Sequence, residues 1–377
     1  MKTKLNYLLA ATAMSTLLFT SCKKQYPPVC GSGDSTVTTV KVFATGFNSP
    51  RGLKFGPDGN LYVAEAGVGG TNISHCIQVV PPVGPYTGSD TGSRISKVSP
   101  HGVRTTYVDH LPSSMASPLV GGSIEGVADV AFIGNAMYAL LAGAGCSHGV
   151  PDIPNGIIRI NPDRSWTMIA NISQFLKNNP VKNPEEDDFE PDGTPYSMIN
   201  VGLNLYFVEP NHGELDKLPL GGSISRVIDV SATQGHIVPT SVVHHKGNFY
   251  LGNLDTFPIM GGSKVFKVTP DGQISEIASG FSTILGLAFD NHDRLYVLEN
   301  TVGAPSLTPG LGQVERIDQW GNKEVIVSGL NFPTGMTFGP DGKLYISNWG
   351  IGAPGMGEIL QVGFKCEEVM GDMDEKN

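Results

Sequence analysis

Residues 49–67 read SPRGLKFGPDGNLYVAEAG, and residues 332–350 read FPTGMTFGPDGKLYISNWG. Each copy is a short apolar strand, a Gly-Pro-Asp-Gly turn and a second apolar strand. Proline presets φ at the second turn position and glycine tolerates positive φ at the fourth, so the tetrapeptide closes a hairpin. Working outward, a bulky apolar residue followed by tyrosine recurs at Leu61-Tyr62, Met137-Tyr138, Leu205-Tyr206, Phe249-Tyr250, Leu295-Tyr296 and Leu344-Tyr345. A short strand lies upstream of each: 52–55, 126–132, 196–199, 240–243, 286–289 and 335–338. Third and fourth strands follow, as in RISKVSP (94–100) with GVRTTYV (102–108), and SKVFKVTP (263–270) with GQISEIA (272–278). Runs such as LYVA (61–64) are apolar on both sides, as in sheets covered on both faces. Six such four-stranded meanders predict an all-β six-bladed β-propeller. A two-sheet sandwich would not repeat one hairpin six times.

The last unit lacks a fourth strand after EILQVGF (358–364), while TVTTVKVFATGF (36–47) is a strand without a sheet. The N-terminal strand is therefore expected to complete the last blade and close the ring. That closure brings Cys30 and Cys366 together and predicts their disulfide. Cys76 and Cys146, which follow the second strands of adjacent blades on one face, then pair by elimination.

The 377 residues include 48 glycines and 27 prolines spread along the chain, which fits a turn-rich globular protein rather than a low-complexity one. A formal net charge of −10, without a basic cluster, excludes nucleic acid as an expected partner, because that affinity comes largely from Lys and Arg. Lys2 and Lys4, the apolar run Leu8–Phe19 and the small residues before Cys22 read as an export signal. The Thr-Ser-Cys ending resembles a lipobox, with Cys22 lipidated. The expected division is a signal peptide (1–21), a lipidated linker (22–35), the propeller (36–365) and an acidic tail (366–377). The expected product is a monomer in the cell envelope, an outer-membrane lipoprotein facing the periplasm or the cell surface.

The strand order puts the short turns on one plain face. The long connections 67–92, 143–154, 176–194, 254–262, 300–311 and 350–356 fall on the other, where function is expected. Candidate ligand-binding residues at the inner-strand starts are Arg51, Glu125 and Tyr196. Those just past the second strands are Glu65, Glu209, Asn211, His212, Asn253, Glu299, Asn300 and Asn348. Glu125, Asn253 and Glu299 are candidate oxygen ligands for Ca²⁺; the competing expectation is that such residues cap strand ends and satisfy turn backbones. His75, His148 and His212 fall on the same face, where solvated loop histidines are expected. The acidic run Glu185–Asp188, with Glu190 and Asp192, is expected to be a solvated loop. No H-E-x-x-H or phosphate loop is present.

The repeat PxGLxFGPDGxLYVAE resembles NHL-type propellers of the SMP-30-like superfamily. Further runs resemble the ScyD/ScyE family: LYVAEAGVGG (61–70), GSRISKVSPHGV (92–103), MYALLAGAG (137–145), IANISQFLKNNP (169–180) leading to DGTPYSM (192–198), and YFVEPNHGEL (206–215). That resemblance covers about residues 40–364 and implies an exported propeller without a defined chemistry. Regucalcin- and paraoxonase-type lactonases of the same architecture hold a cation near the inner-strand starts. Here Arg51 and Leu285 occupy two of those starts, and Glu125 is the one carboxylate among them. The expected function is a binding module that takes a small molecule, glycan or protein on the loop-rich face at the channel mouth. The alternative is a cation-dependent hydrolase, lactonase- or esterase-like, at the same mouth. A quinone-cofactor sugar dehydrogenase, which shares the six-bladed scaffold, is a third expectation.

Overall fold

The computed structural model describes residues 27–30, 34–74, 76–184, 189–259 and 261–368. The expected signal peptide, Cys22, His75, the run 185–188 and most of the acidic tail lie outside the described residues.

Six antiparallel sheets follow one another along the chain. Their inner strands are Pro50–Phe55, Val127–Ile133, Ser197–Val201, Pro239–His245, Ile284–Phe289 and Gly335–Phe338. These strands pack side by side in chain order, and the last returns to the first, so they form a ring around a channel. The blades are numbered one to six in that order. Blade one carries a fifth, two-residue strand, Ile124–Glu125, against the end of Arg104–Met115. In blade six, Asp34–Phe47 pairs antiparallel with Gly357–Glu368, so the N-terminal strand closes the ring as expected. Disulfides join Cys30 to Cys366 and Cys76 to Cys146, with Cα atoms 5.3 and 5.8 Å apart.

The repeated apolar-Tyr pair has a physical reason. Adjacent residues of a strand point to opposite faces, and each second strand is sandwiched between two neighbouring blades. Leu61 and Val63 pack with Tyr345 and Ile359 of blade six, whereas Tyr62 and Ala64 pack with Val127 and Met137 of blade two. The alternation recurs in every blade: the first residue faces the preceding blade and the tyrosine the following one. Both faces are therefore apolar, and each of the six main buried clusters is shared by two neighbouring blades.

The turn aspartates complete the motif. Tyr62 donates its hydroxyl to Asp58 (3.0 Å), and Tyr345 does the same to Asp341 (3.1 Å). Burial, with the Asp58 carboxylate beside it, pushes the Tyr62 phenol up to about 12. A Cβ on Gly56 or Gly339 would meet the tyrosine ring at 2.6 Å, so glycine opens the turn to let the ring pass.

Candidate functional site

Four of the candidate residues past the second strands tie down chain arriving from the preceding blade. Glu65 accepts from the backbone N–H of Asn48 (2.6 Å), Glu209 from Thr194 (2.7 Å), Glu299 from Ser282 (2.6 Å) and Asn348 from Asn331 (2.8 Å). Asn253 donates to Ile237 O (2.8 Å) and accepts from Lys264 N (2.7 Å). Blade two uses a residue from a different place, Asn155, which accepts from Ala144 N and donates to Gly193 O. Asn300 donates to Pro333 O (2.9 Å). All these side chains are buried, and such groups must find partners.

Glu65 additionally accepts from Ser96 and lies 2.9 Å from Arg94 and 3.7 Å from Arg104. Glu209 accepts from the backbone and ring nitrogens of His212 (2.6 and 2.8 Å). Burial works to raise the Glu209 pKa, but His212 and the backbone donors outweigh it and hold the carboxylate below its ordinary value.

Arg51, Glu125 and Tyr196 do converge. The Arg51 guanidinium lies 3.9 Å from Glu125, donates to Ile124 O, and sits 5.7 Å from the centre of the Tyr196 ring, within cation–π range. Tyr196 donates its hydroxyl to Thr334 O (3.1 Å). Tyr196 opens the inner strand of blade three and Thr334 that of blade six, on the opposite side of the ring, so this side chain crosses the channel. Burial pushes the Glu125 carboxyl up in pKa, with Arg51 opposing and Glu190 reinforcing.

Three long connections knit together over this cluster. Tyr86 from 67–92 donates to Glu190 Oε1 from 176–194 (3.0 Å). His148 from 143–154 lies 3.3 Å from Glu190 Oε2, with its ring 4.5 Å from that of Tyr86. Asp192 accepts from the hydroxyl and N–H of Ser147 (2.6 and 2.7 Å), and Asn211 accepts from Glu190 N (2.8 Å). His148 and His212 are buried, 0% and 3% exposed, and Glu190 is 5% exposed. The expectation of solvated histidines and a solvated Glu190 is thus corrected: these loops fold back on each other and bury the groups that join them. Burial lowers the His148 pKa, but Glu190 outweighs it and the net shift is upward. The sequence reading missed Tyr86 and Glu190 as site residues because they are 104 positions apart and share no spacing.

Beside this knot, off the channel axis, the Cys76–Cys146 disulfide borders a hollow of about 560 Å³. Phe189, Pro191 and Leu176 supply apolar walls, and Gln174, Lys177 and His212 polar ones. The helix Ile172–Asn178 forms one side; Asn171 caps it by accepting from Gln174 N (2.8 Å). As a cation site, Glu125, Asn253 and Glu299 act separately: Glu125 faces Arg51, Asn253 is held by backbone, and Glu299 accepts from Ser282 N and Gln313 (2.7 Å). Among the described residues, no group of three or more His, Cys, Asp or Glu is placed to hold a metal.

No family model matches the chain, and no curated protein matches it. Solved structures do. A gluconolactonase from Xanthomonas campestris aligns at 10% identity, covering 90% of this chain and 97% of that one, with a TM-score of 0.54. A calcium-binding regucalcin from Agrobacterium tumefaciens aligns at 13%, covering 87% and 94%, with a TM-score of 0.52. A Thermus protein described as a glucose dehydrogenase-type oxidoreductase aligns at 16%, covering 86% and 100%, with a TM-score of 0.54. At such identities the likeness is one of fold. The chain is a six-bladed β-propeller, a fold it shares with these gluconolactonase, regucalcin and oxidoreductase structures.

Proposed function

We propose that this chain is an exported, lipid-anchored binding module of the ScyD/ScyE kind that takes its ligand on the loop-rich face. One observation carries the reading: a hollow of about 560 Å³, walled by connections that a disulfide and buried hydrogen bonds hold in place. Its volume is that of a small-molecule site, and its mixed lining suits a small molecule, a glycan or a short peptide. Pinned loops lose little freedom on binding, which favours affinity. The two disulfides indicate an oxidising, extracytoplasmic setting. No helix among the described residues is long and apolar enough to cross a membrane, so the anchor in this reading is lipid on Cys22. Mass spectrometry of the N-terminal peptide tests that part.

The binding role is tested by thermal-shift screening of the purified protein against soluble oligosaccharides and sugar lactones. A ligand at about 100 times its Kd stabilises by about 2.7 kcal/mol. The hit is expected to be lost in Phe189→Ala and Gln174→Ala. Turnover of a lactone or ester panel that requires added Ca²⁺ would overturn the reading. The hydrolase is the second reading, and a specific feature favours it: Glu125, a carboxyl of raised pKa beside Arg51 at the channel mouth, has the character of a general acid. Glu125→Gln abolishes turnover in that case and leaves ligand binding intact in the first.

A further inference from the structure

The face of short turns holds a larger hollow than the loop-rich face. It opens at the other end of the channel and measures about 840 Å³. All six blades contribute a wall residue: Phe55, Phe132, Ile199, His244, Phe289 and Phe338. These lie at or near the ends of the inner strands, where the strands run out into the turns. The aromatic walls are fixed from behind: Phe55 packs edge-on against Tyr345 (5.0 Å), Phe132 against Tyr62 (5.2 Å) and Phe338 against Tyr296 (5.0 Å). The site is therefore preformed, because its rings belong to the blade interfaces.

Lys54 lies among these walls with 30% of its side chain exposed. Its closest carboxylate oxygen is Asp129 Oδ2, at 3.8 Å, beyond hydrogen-bond distance. Asp129 already accepts from Val130 N (2.8 Å) and Met198 N (2.9 Å). The carboxylate is thus committed to the backbone, and Lys54, which lines the hollow, makes no hydrogen bond to it. Deeper in the channel only about 30 Å³ remains between Asp129, Tyr196 and Ser241, space of the order of one water. Tyr196 crosses the channel there, so the two ends are separate sites.

We infer that this hollow binds a small amphipathic anion, a flat apolar body bearing one carboxylate that Lys54 recognises. The rings bury the body, and the ammonium supplies a charge-assisted hydrogen bond to the carboxylate. Entry is from the turn face, and neither the loop-rich face nor Glu125 takes part.

The probe is 1-naphthoate, titrated calorimetrically into the purified protein, with uncharged 1-naphthylmethanol as the comparison. Naphthoate is expected to bind about ten-fold tighter than the alcohol, the scale of one charge-assisted bond. Lys54→Gln removes that preference, Lys54→Arg retains it, and Thr337→Trp, which fills the hollow from its wall, abolishes binding of both. Phe189→Ala, on the opposite face, leaves both titrations unchanged. Absence of saturable binding at millimolar naphthoate overturns the inference. So does binding that survives Lys54→Gln and Thr337→Trp together, which would put the anion elsewhere.

Discussion

The hydroxyl of Tyr196 donates to the main-chain oxygen of Thr334 at 3.1 Å, joining blade three to blade six across the channel. Thr334 in turn donates its hydroxyl to Pro50 O (2.6 Å), and Ser347 donates to Arg51 O (2.7 Å). Opposite sides of the ring are thus linked beside the closure, where the last blade meets the first.

Tyr196→Phe removes this link and keeps the ring. A lost buried hydrogen bond costs about 1 kcal/mol, and up to about 3 if Thr334 O is left unsatisfied. Urea unfolding is expected to show a lower midpoint with an unchanged slope. No loss of stability would mean the crossing tyrosine is a spacer only.

Glu65 is expected to be more costly to replace than Asn253. Glu65→Ala leaves Arg94 and Arg104 facing each other without their shared carboxylate, at a cost of about 3 kcal/mol. Asn253→Ala loses two hydrogen bonds to the backbone, about 1–2 kcal/mol. Equal losses in thermal unfolding would contradict the ion-pair reading.

Stability is expected to fall as pH rises from about 5 to about 8. Burial holds the Glu214 carboxyl up to about 7 against the pull of Arg226, and pushes Asp216 well above its ordinary value with Glu214 reinforcing. Neither Asp216 oxygen has a hydrogen-bond partner among the described residues. A carboxyl with a higher pKa in the folded than in the unfolded chain keeps its proton longer when folded. Its contribution is therefore present at low pH and lost as pH rises toward the folded value. His148 and His212 are also raised, so their contribution is full below about 6.5 and lost as pH climbs through their folded values. Asp216→Asn should flatten the pH dependence of the urea midpoint and stabilise the protein at pH 8. An unchanged slope would show that the pair does not titrate in this range.

Removing either disulfide should destabilise, and the ring-closing one more so. The sequence separations are 336 for Cys30–Cys366 and 70 for Cys76–Cys146. The chain-entropy model gives about 6 and about 4 kcal/mol as upper figures. Cys30→Ser with Cys366→Ser should lower the unfolding midpoint without altering ligand binding at the loop-rich hollow. Cys76→Ser with Cys146→Ser should weaken that binding, because it frees two walls. Equal effects of both pairs on binding would detach the disulfide from the site.

The fold was legible because its signals are local and repeated. Leu61-Tyr62 and its five counterparts announce a strand buried on both faces, and Asp58 and Asp341 announce the turns that accept the tyrosine hydroxyls. Ring closure was legible too, from a blade short of one strand and a strand short of a sheet. The candidate site was legible only in part. Arg51, Glu125 and Tyr196 were picked by position on the inner strands, and the structure brings them together. Glu65, Glu209, Asn253, Glu299 and Asn348 were picked by the same logic, and the structure engages them in holding the chain between strands. A carboxylate or amide reads identically in sequence whether its partner is a ligand or a backbone N–H.

The sequence by itself determined the six blades, the strand that closes them, the two disulfide pairs and the face on which the long connections lie. All follow from neighbouring residues or from counting strands. Only the tertiary structure decided that His148 and Glu190 are buried together, that Tyr196 crosses the channel, and that the turn face is hollow. The physical reason is that burial and partnership are set by where six separately encoded blades converge. A loop residue such as Glu190 meets Tyr86, 104 positions away, through the closure of the ring and through nothing in its own stretch of chain.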